Sequence, residues 1–269
     1  MAIKIKALIT LGFFLLNTTL LHAQKQRDFW NEKKCAVVIT YDDALDSQLD
    51  IAIPLLDSLN LKATFYIPGK ANTLKTRLQE WRQVAEEGHE LGNHTIFHPC
   101  YGKSKNRKWV KPEYDLDNYT PKRIKDEILV QNVLLNAIDG KTKRTFAYTC
   151  GDKTVDNVKF INLLKQDFVA ARDVQRGFNY PEKVDIYNLK IFSANKKTTG
   201  KELIKKVKKA KKENALVIFL FHGLTPEEKP TAPEKSHRKL LEYLAKHKKD
   251  IYIAPLVEVI EFYKRQTTK

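Results

Sequence analysis

"CAVVITYDDALDS" (residues 35–47) runs from an unbroken apolar stretch straight into two adjacent carboxylates. A β-branched apolar run of this length reads as a buried strand. Asp42 and Asp43 therefore stand at its carboxyl end. Neighbouring aspartates repel, and one carboxyl pKa rises, unless a cation lies beside them. A divalent metal on one resolves the conflict and leaves the other free as a base. Successive strand residues point to opposite sides, so the two aspartates are expected to do different jobs.

Outward from this stretch, apolar runs alternate with amphipathic segments. Strands are expected at 35–41, 62–68, 89–95, 144–149, 167–172, 186–192, 215–221 and 251–256. Helical patterns fall at 47–59, 74–87, 121–138, 154–165, 199–212, 233–247 and 257–265, with Thr120 as an N-cap and Pro121 at the first helical position. Such alternation implies parallel strands joined by right-handed crossovers. The fold class is α/β, and seven or eight units fit a barrel better than an open sheet, which alternation alone does not exclude. Residues 24–269 read as a single domain. The longest irregular stretch, 98–120, looks like an insertion over one face. Its Tyr101, Trp109, Tyr114 and Tyr119 either stack on a ligand or form a satellite core.

In parallel α/β folds, residues just past strand carboxyl ends gather on one rim, where active sites are built. Asp42 and Asp43, His94 and His98 of "GNHTIFHP", His222 of "LFHG", and the segments "YTCGD" and "ARD" meet that criterion. Two imidazoles four residues apart on a helical turn can converge on a metal with one carboxylate. His89 lies away from the rim, and His237 and His247 lie in charged helical surroundings.

The first 23 residues have the layout of a secretory signal peptide: two lysines, a short apolar stretch, and Ala23 at the cleavage position. An uncleaved anchor is the alternative reading. No later stretch looks able to cross a bilayer, so the mature protein is expected to be secreted, periplasmic or in the cell envelope. Three cysteines are too few for a disulfide framework; Cys35 reads as core, and spacing leaves open whether Cys100 and Cys150 pair. The net charge of +16 favours anionic partners. In "KELIKKVKKAKKEN" (201–214), however, Leu203, Ile204 and Val207 fall at helical spacing, so its lysines read as a solvated face and no nucleic-acid partner is expected.

"TYDD", "NHTIFHP" and "LFHG", in this order, resemble the first, second and fifth motifs of the polysaccharide deacetylases, carbohydrate esterase family four, which share the NodB-homology domain. "PKRIKDEI" resembles the helix after the second motif. The resemblance spans roughly residues 35–225 and implies a distorted (β/α) barrel. It implies Asp43, His94 and His98 as ligands of one divalent metal, zinc by default, with cobalt, nickel or manganese as alternatives. It implies Asp42 as catalytic base, His222 as catalytic acid, and Leu220 in the pocket for the acetyl methyl group. The implied activity is hydrolysis of acetyl groups from a glycan. N-acetylhexosamine polymers (chitin-like chains, peptidoglycan, exopolysaccharide) lead, an O-acetyl xylan-type ester is the alternative, and a glycan-binding protein with a degenerate site is the third.

The third motif departs from the family. An Arg-Pro-Pro-aromatic-Gly run is expected, and "AYTCG" (147–151) stands there, with Ala147 in place of the arginine that orients the base. Arg144 does not match. Arg172 of "AARD" is the expected substitute, against an ordinary ion pair as the alternative. Asp173 is the suggested partner of His222. Tyr148 and Cys150 are expected to edge the pocket, with the backbone N–H of Cys150 as an oxyanion donor.

Overall fold

The computed structural model describes residues 28–104, 106–228 and 230–268; the segment read as a signal peptide lies outside them. The strands are β1 (Cys35–Asp42), β2 (Thr64–Ile67), β3 (Glu90–Asn93), β4 (Phe146–Ala147), β5 (Thr154–Val155), β6 (Val158–Lys159), β7 (Ala171–Arg176), β8 (Leu189–Ser193), β9 (Leu216–Phe221) and β10 (Ile251–Ile253). The helices are α1 (Ile53–Ser58), α2 (Asn72–Thr76), α3 (Leu78–Glu86), α4 (Pro121–Asp139), α5 (Gly200–Glu213), α6 (Glu234–Lys246) and α7 (Leu256–Thr267).

Seven parallel strands close a barrel in the order β1-β2-β3-β4-β7-β8-β9, and β9 pairs back onto β1 from Ala36↔Leu216 to Tyr41↔Phe221. On the other edge of β1, β10 takes the lower half (Cys35↔Ile251) and β2 the upper half (Thr40↔Thr64). The barrel is distorted where β4 has only two residues and where the β7–β8 register shifts between Arg172 and Arg176.

All eight residues of β1 are buried, as a strand covered on both faces requires. Cys35, Val37, Ile39 and Tyr41 pack with Leu203 and Val207 of α5 and Leu240, Leu241 and Leu244 of α6. Ala36 and Val38 pack instead with Ala147, Ile191, Ile218 and Leu220. Helix starts follow the local chemistry. Thr120 accepts from the Arg123 N–H ahead of α4, and Thr199 forms a reciprocal capping box with Glu202 ahead of α5.

The expected helix over 154–165 is absent. Val155 and Val158 pair across a hairpin whose turn residues, Asp156 and Asn157, have φ of 48° and 60°, followed by a short 3-10 segment, Phe160–Leu163. Asp and Asn tolerate the left-handed region, so "VDNV" is a hairpin turn signal that outweighs the helical spacing. The fifth expected strand (167–172) starts later, at Ala171, which places Arg172 inside the strand rather than at its end. His237 is fully buried rather than solvated among the charges of α6. Its Nε2 lies 2.5 Å from the Tyr41 hydroxyl, and burial holds its pKa at about 3. Tyr41 thus meets a polar partner inside the core.

The insertion is mainly a satellite core. Leu116 and Tyr119 pack with Ile124, Ile128, Tyr148 and Phe160. A disulfide joins Cys100 to Cys150, fifty residues apart, while Cys35 is free and buried. Cross-linking removes loop-closure entropy from the unfolded chain, which for a loop of this length contributes about 2–4 kcal/mol. The double variant Cys100→Ser/Cys150→Ser should therefore lose about that much unfolding free energy and show a lower urea midpoint. An unchanged midpoint would show that the bridge adds nothing.

Candidate active site

Asp42, Asp43, His94, His98, Tyr148, Cys150, Leu220 and His222 line one cavity of about 640 Å³ at the carboxyl end of the barrel. Strand alternation alone would turn Asp43 away from Asp42. Asp43 has φ of 78° and Ala44 of 52°, and this left-handed pair swings the second carboxylate back over the same cavity. Aspartate tolerates that region, but an alanine there is strained. Thr95 (62°), His98 (53°) and Cys150 (55°) share that conformation around the same site.

His94 and His98 do not lie on a helical turn. Asn93 Oδ1 accepts from the Thr95 N–H at 2.8 Å, and Thr95 Oγ1 accepts from the His98 N–H at 2.9 Å. These two side-chain turns fold the loop so that the rings sit 4.8 Å apart. The His94 Nδ1 donates to the Ala147 carbonyl at 2.9 Å. A carbonyl only accepts, so the Nε2 lone pair faces the cavity. It lies 3.7 Å from Asp43 Oδ1, and His98 Nε2 lies 3.5 Å from the same oxygen. Burial lowers both imidazoles to about 4, which keeps them neutral.

One ligand atom from each of Asp43, His94 and His98 falls within 4.8 Å of the others, a donor set that fits a divalent ion. Two other clusters in the described residues fit less well. His98, Cys100 and Cys150 would need thiolates that the disulfide consumes. In the Asp57, Glu87 and His89 group, His89 Nδ1 accepts from the Ala63 N–H, so its Nε2 carries the proton and faces Asp57 as a donor.

Asp42 is almost fully buried, and its carboxylate is held by the guanidinium of Arg172, which is itself fully buried. The register explains the contact: Ala147 on β4 is the Cα partner of Arg172 on β7. Arg172 thus stands beside Ala147 in the sheet, with its guanidinium 4.5 Å from the Tyr66 ring centroid. Burial pushes the Asp42 carboxyl up, but the charge and hydrogen bond of Arg172, with the neighbouring imidazoles, hold the pKa below the usual carboxylate range. Arg144 is engaged elsewhere, with Asp139 at 3.2 Å and the Leu91 carbonyl at 2.7 Å.

Gln48 fastens the two strand ends together. It sits in a π-helical turn, Gln48–Ala52, and its Nε2 donates to the carbonyls of Asp42 (2.5 Å) and His222 (3.3 Å). His222 Nε2 is 4.0 Å from Asp43 Oδ2, and its buried Nδ1 has no partner among the described residues. The expected pairing with Asp173 is not formed, because Asp173 binds Lys153 at 2.8 Å and caps the Val174 N–H. Gly223 follows His222 where a Cβ would fall 2.4 Å from that of Glu228, so the "HG" order is sterically required.

Sequence reading missed Lys70, which follows β2 and lines the cavity from an exposed position, though its place past a strand end could have marked it. Of the insertion's aromatics only Trp109 lines the cavity, 6.1 Å from the His98 ring. Tyr101 and Tyr119 spend their hydroxyls on the Thr154 carbonyl and Glu127, and Tyr114 stacks on Phe97.

A parallel barrel with carboxylates and imidazoles converging on its carboxyl rim is the frame of a candidate metal site, and comparison with known proteins narrows the class. Residues 31–169 match the polysaccharide deacetylase family, and the chain belongs to that family. A peptidoglycan-N-acetylglucosamine deacetylase of Bacillus cereus is 31% identical over 123 residues, 42% of this chain and 42% of that protein. A gellan lyase of Bacillus sp is 26% identical over 152 residues, 56% of this chain but 5% of that protein. The chain thus spans well under two thirds of these curated relatives.

Among solved structures, a family 4 acetyl xylan esterase from Clostridium thermocellum, in complex with a cobalt ion, superposes with a TM-score of 0.55 at 20% identity, covering 84% of this chain and 90% of that one. A peptidoglycan deacetylase from Bacillus subtilis gives 0.55 at 16%, covering 90% and 96%. A pseudoenzyme of the same family from Bacillus anthracis gives 0.52 at 17%, covering 85% and 66%. At these identities the likeness is one of fold, and since it extends to a pseudoenzyme, activity must be argued from the site.

Removing Arg172 would leave a buried carboxylate uncompensated, which costs about 3–5 kcal/mol. Arg172→Met should lose that much stability at neutral pH in the metal-free protein. The low folded pKa of Asp42 adds stability above the unfolded value, and this is lost as pH falls through the folded one. The variant raises the folded pKa instead, so the gap to wild type should narrow as the medium becomes acidic. A gap independent of pH would contradict the assignment.

Proposed function

We propose that the chain is a metal-dependent hydrolase that removes acetyl groups from a glycan, with N-acetylhexosamine units as the leading substrate. The observation that carries this is the convergence of Asp42, Asp43, His94, His98 and His222 on one cavity, with the third-motif arginine supplied by Arg172. Asp43, His94 and His98 would hold one divalent ion, zinc by default, with cobalt, nickel or manganese as alternatives. When bound, the ion polarises the acetyl carbonyl and acidifies water.

The remaining chemistry belongs to side chains. Asp42, kept ionised by Arg172, takes the proton of the attacking water. The backbone N–H of Cys150 is offered to the oxyanion. His222 returns a proton to the departing nitrogen or oxygen. Leu220 and Tyr148 shape the pocket around the acetyl methyl group. The acyl chemistry is the same for an amide and an ester, so an O-acetyl glycan is the second reading, favoured by the fold likeness to an acetyl xylan esterase. A degenerate glycan-binding site is the reading that Ala147 suggests and that the Asp42–Arg172 contact argues against. The Cys100–Cys150 disulfide supports an oxidising compartment outside the cytoplasm.

Acetate release from chito-oligosaccharides, peptidoglycan and acetylxylan tests the proposal, and failure on all three with bound metal would overturn it. Asp42→Asn should retain the metal, measured by elemental mass spectrometry, while losing about 10²–10⁴-fold in kcat. His94→Ala should lose both the metal and the activity. Undiminished turnover by Asp42→Asn would remove it as the base.

A further inference from the structure

The cavity does not end at His222. Val174 and Ser193 line both it and a second cleft of about 350 Å³, which runs from the end of β7 across β8 to the start of α5. Arg176, Lys197 and Lys206 stand in this second cleft. The guanidinium of Arg176 and the ammonium of Lys206 lie 5.6 and 4.5 Å from the centroid of a single ring, that of Phe192. Among the described residues neither cation has an ion-pair partner within 4 Å. The carboxylate on this wall, Glu202, is committed to the helix start: its Oε2 accepts from the Thr199 N–H at 2.8 Å and the Thr199 hydroxyl at 2.9 Å. Burial, then repulsion from Arg176, lowers the Lys206 pKa although the nearby Glu202 carboxylate pulls it the other way, so the cations are only partly compensated. An anion between them would relieve that repulsion, and a guanidinium fork matches a carboxylate in shape as well as charge.

We propose that this cleft is a subsite for a carboxylate on a sugar next to the acetylated one, so that the substrate is an acidic heteroglycan rather than a neutral homopolymer. The inference rests on the glycan reading of the first cavity. It gives a local meaning to part of the positive charge of the chain, because these three cations line a cleft that shares Val174 and Ser193 with the first cavity, whereas most lysines of α5 are dispersed along an exposed face. The carboxylate can come from a uronic acid or from a lactyl ether, which present the same group on different sugars.

The test compares three oligosaccharides of equal length: neutral N-acetylglucosamine, N-acetylhexosamine alternating with uronate, and N-acetylglucosamine alternating with its lactyl ether. Binding is measured by calorimetry on zinc-loaded protein carrying Asp42→Asn, which suppresses turnover, and acetate release is measured on wild type. A charge-assisted contact contributes about 1.5–3 kcal/mol, so at least one acidic oligomer should bind at least about tenfold tighter than the neutral one. Which of the two does so identifies the source. Adding Arg176→Gln and Lys206→Gln should abolish that advantage and leave neutral binding within about twofold, as should raised salt. Acetate release with no acidic preference overturns the subsite alone. Neither binding nor acetate release with any oligomer overturns the N-acetylhexosamine reading and the subsite with it.

Discussion

The ion pair between Asp42 and Arg172 is the constraint on which the rest of the site depends. Both groups are buried, one at the end of β1 and the other within β7. Neither charge is tolerable there alone, since desolvating an unpaired ion costs several kcal/mol. Together they hold Asp42 ionised, on which its proposed role as base depends. Ala147 has a part in this as a small residue: its side chain leaves the space, its carbonyl orients His94, and its register partner carries the guanidinium.

Around that pair the backbone is bent rather than regular. Asp43, Ala44, Thr95, His98 and Cys150 all adopt left-handed φ without being glycine. Such conformations persist only where the surroundings over-determine them. Here the surroundings are visible: the Asn93 and Thr95 side-chain turns, the Gln48 clamp between β1 and β9, and the disulfide that ties the insertion to the third-motif loop. The result is a preorganised set of donors at the rim, with Trp109 on one wall and the Arg176–Lys206 cleft beyond Ser193.

Much of this was legible in the sequence, and for physical reasons. β1 and β9 are unbroken apolar runs because both their faces are covered, and the residues that break those runs, Asp42 and His222, mark the rim. The family motifs pointed to the cluster of aspartates and histidines, and the missing arginine at 147 posed the question that Arg172 answers. What the sequence does not display is register. Nothing in "RTFAYT" or "AARD" states that Ala147 and Arg172 are neighbours in a sheet. Nor does periodicity reveal positive φ, so the His94–His98 pair read as a helical turn although a bent loop brings the rings together. The hairpin at 154–159 was readable from its Asp-Asn turn, but the helical spacing of Phe160 and Leu164 masked it. The burial of His237 was hidden because the charges of α6 lie on its other face, and the hydroxyl it meets arrives from β1.

The most direct test is to move the arginine back by one strand. Turnover of the metal-loaded protein would be measured for wild type, Arg172→Ala, and the double variant Arg172→Ala/Ala147→Arg. The account predicts that the single variant keeps its metal but loses most of its kcat, and that the guanidinium restored at 147 recovers a large part of it. Turnover by Arg172→Ala equal to that of wild type would contradict it.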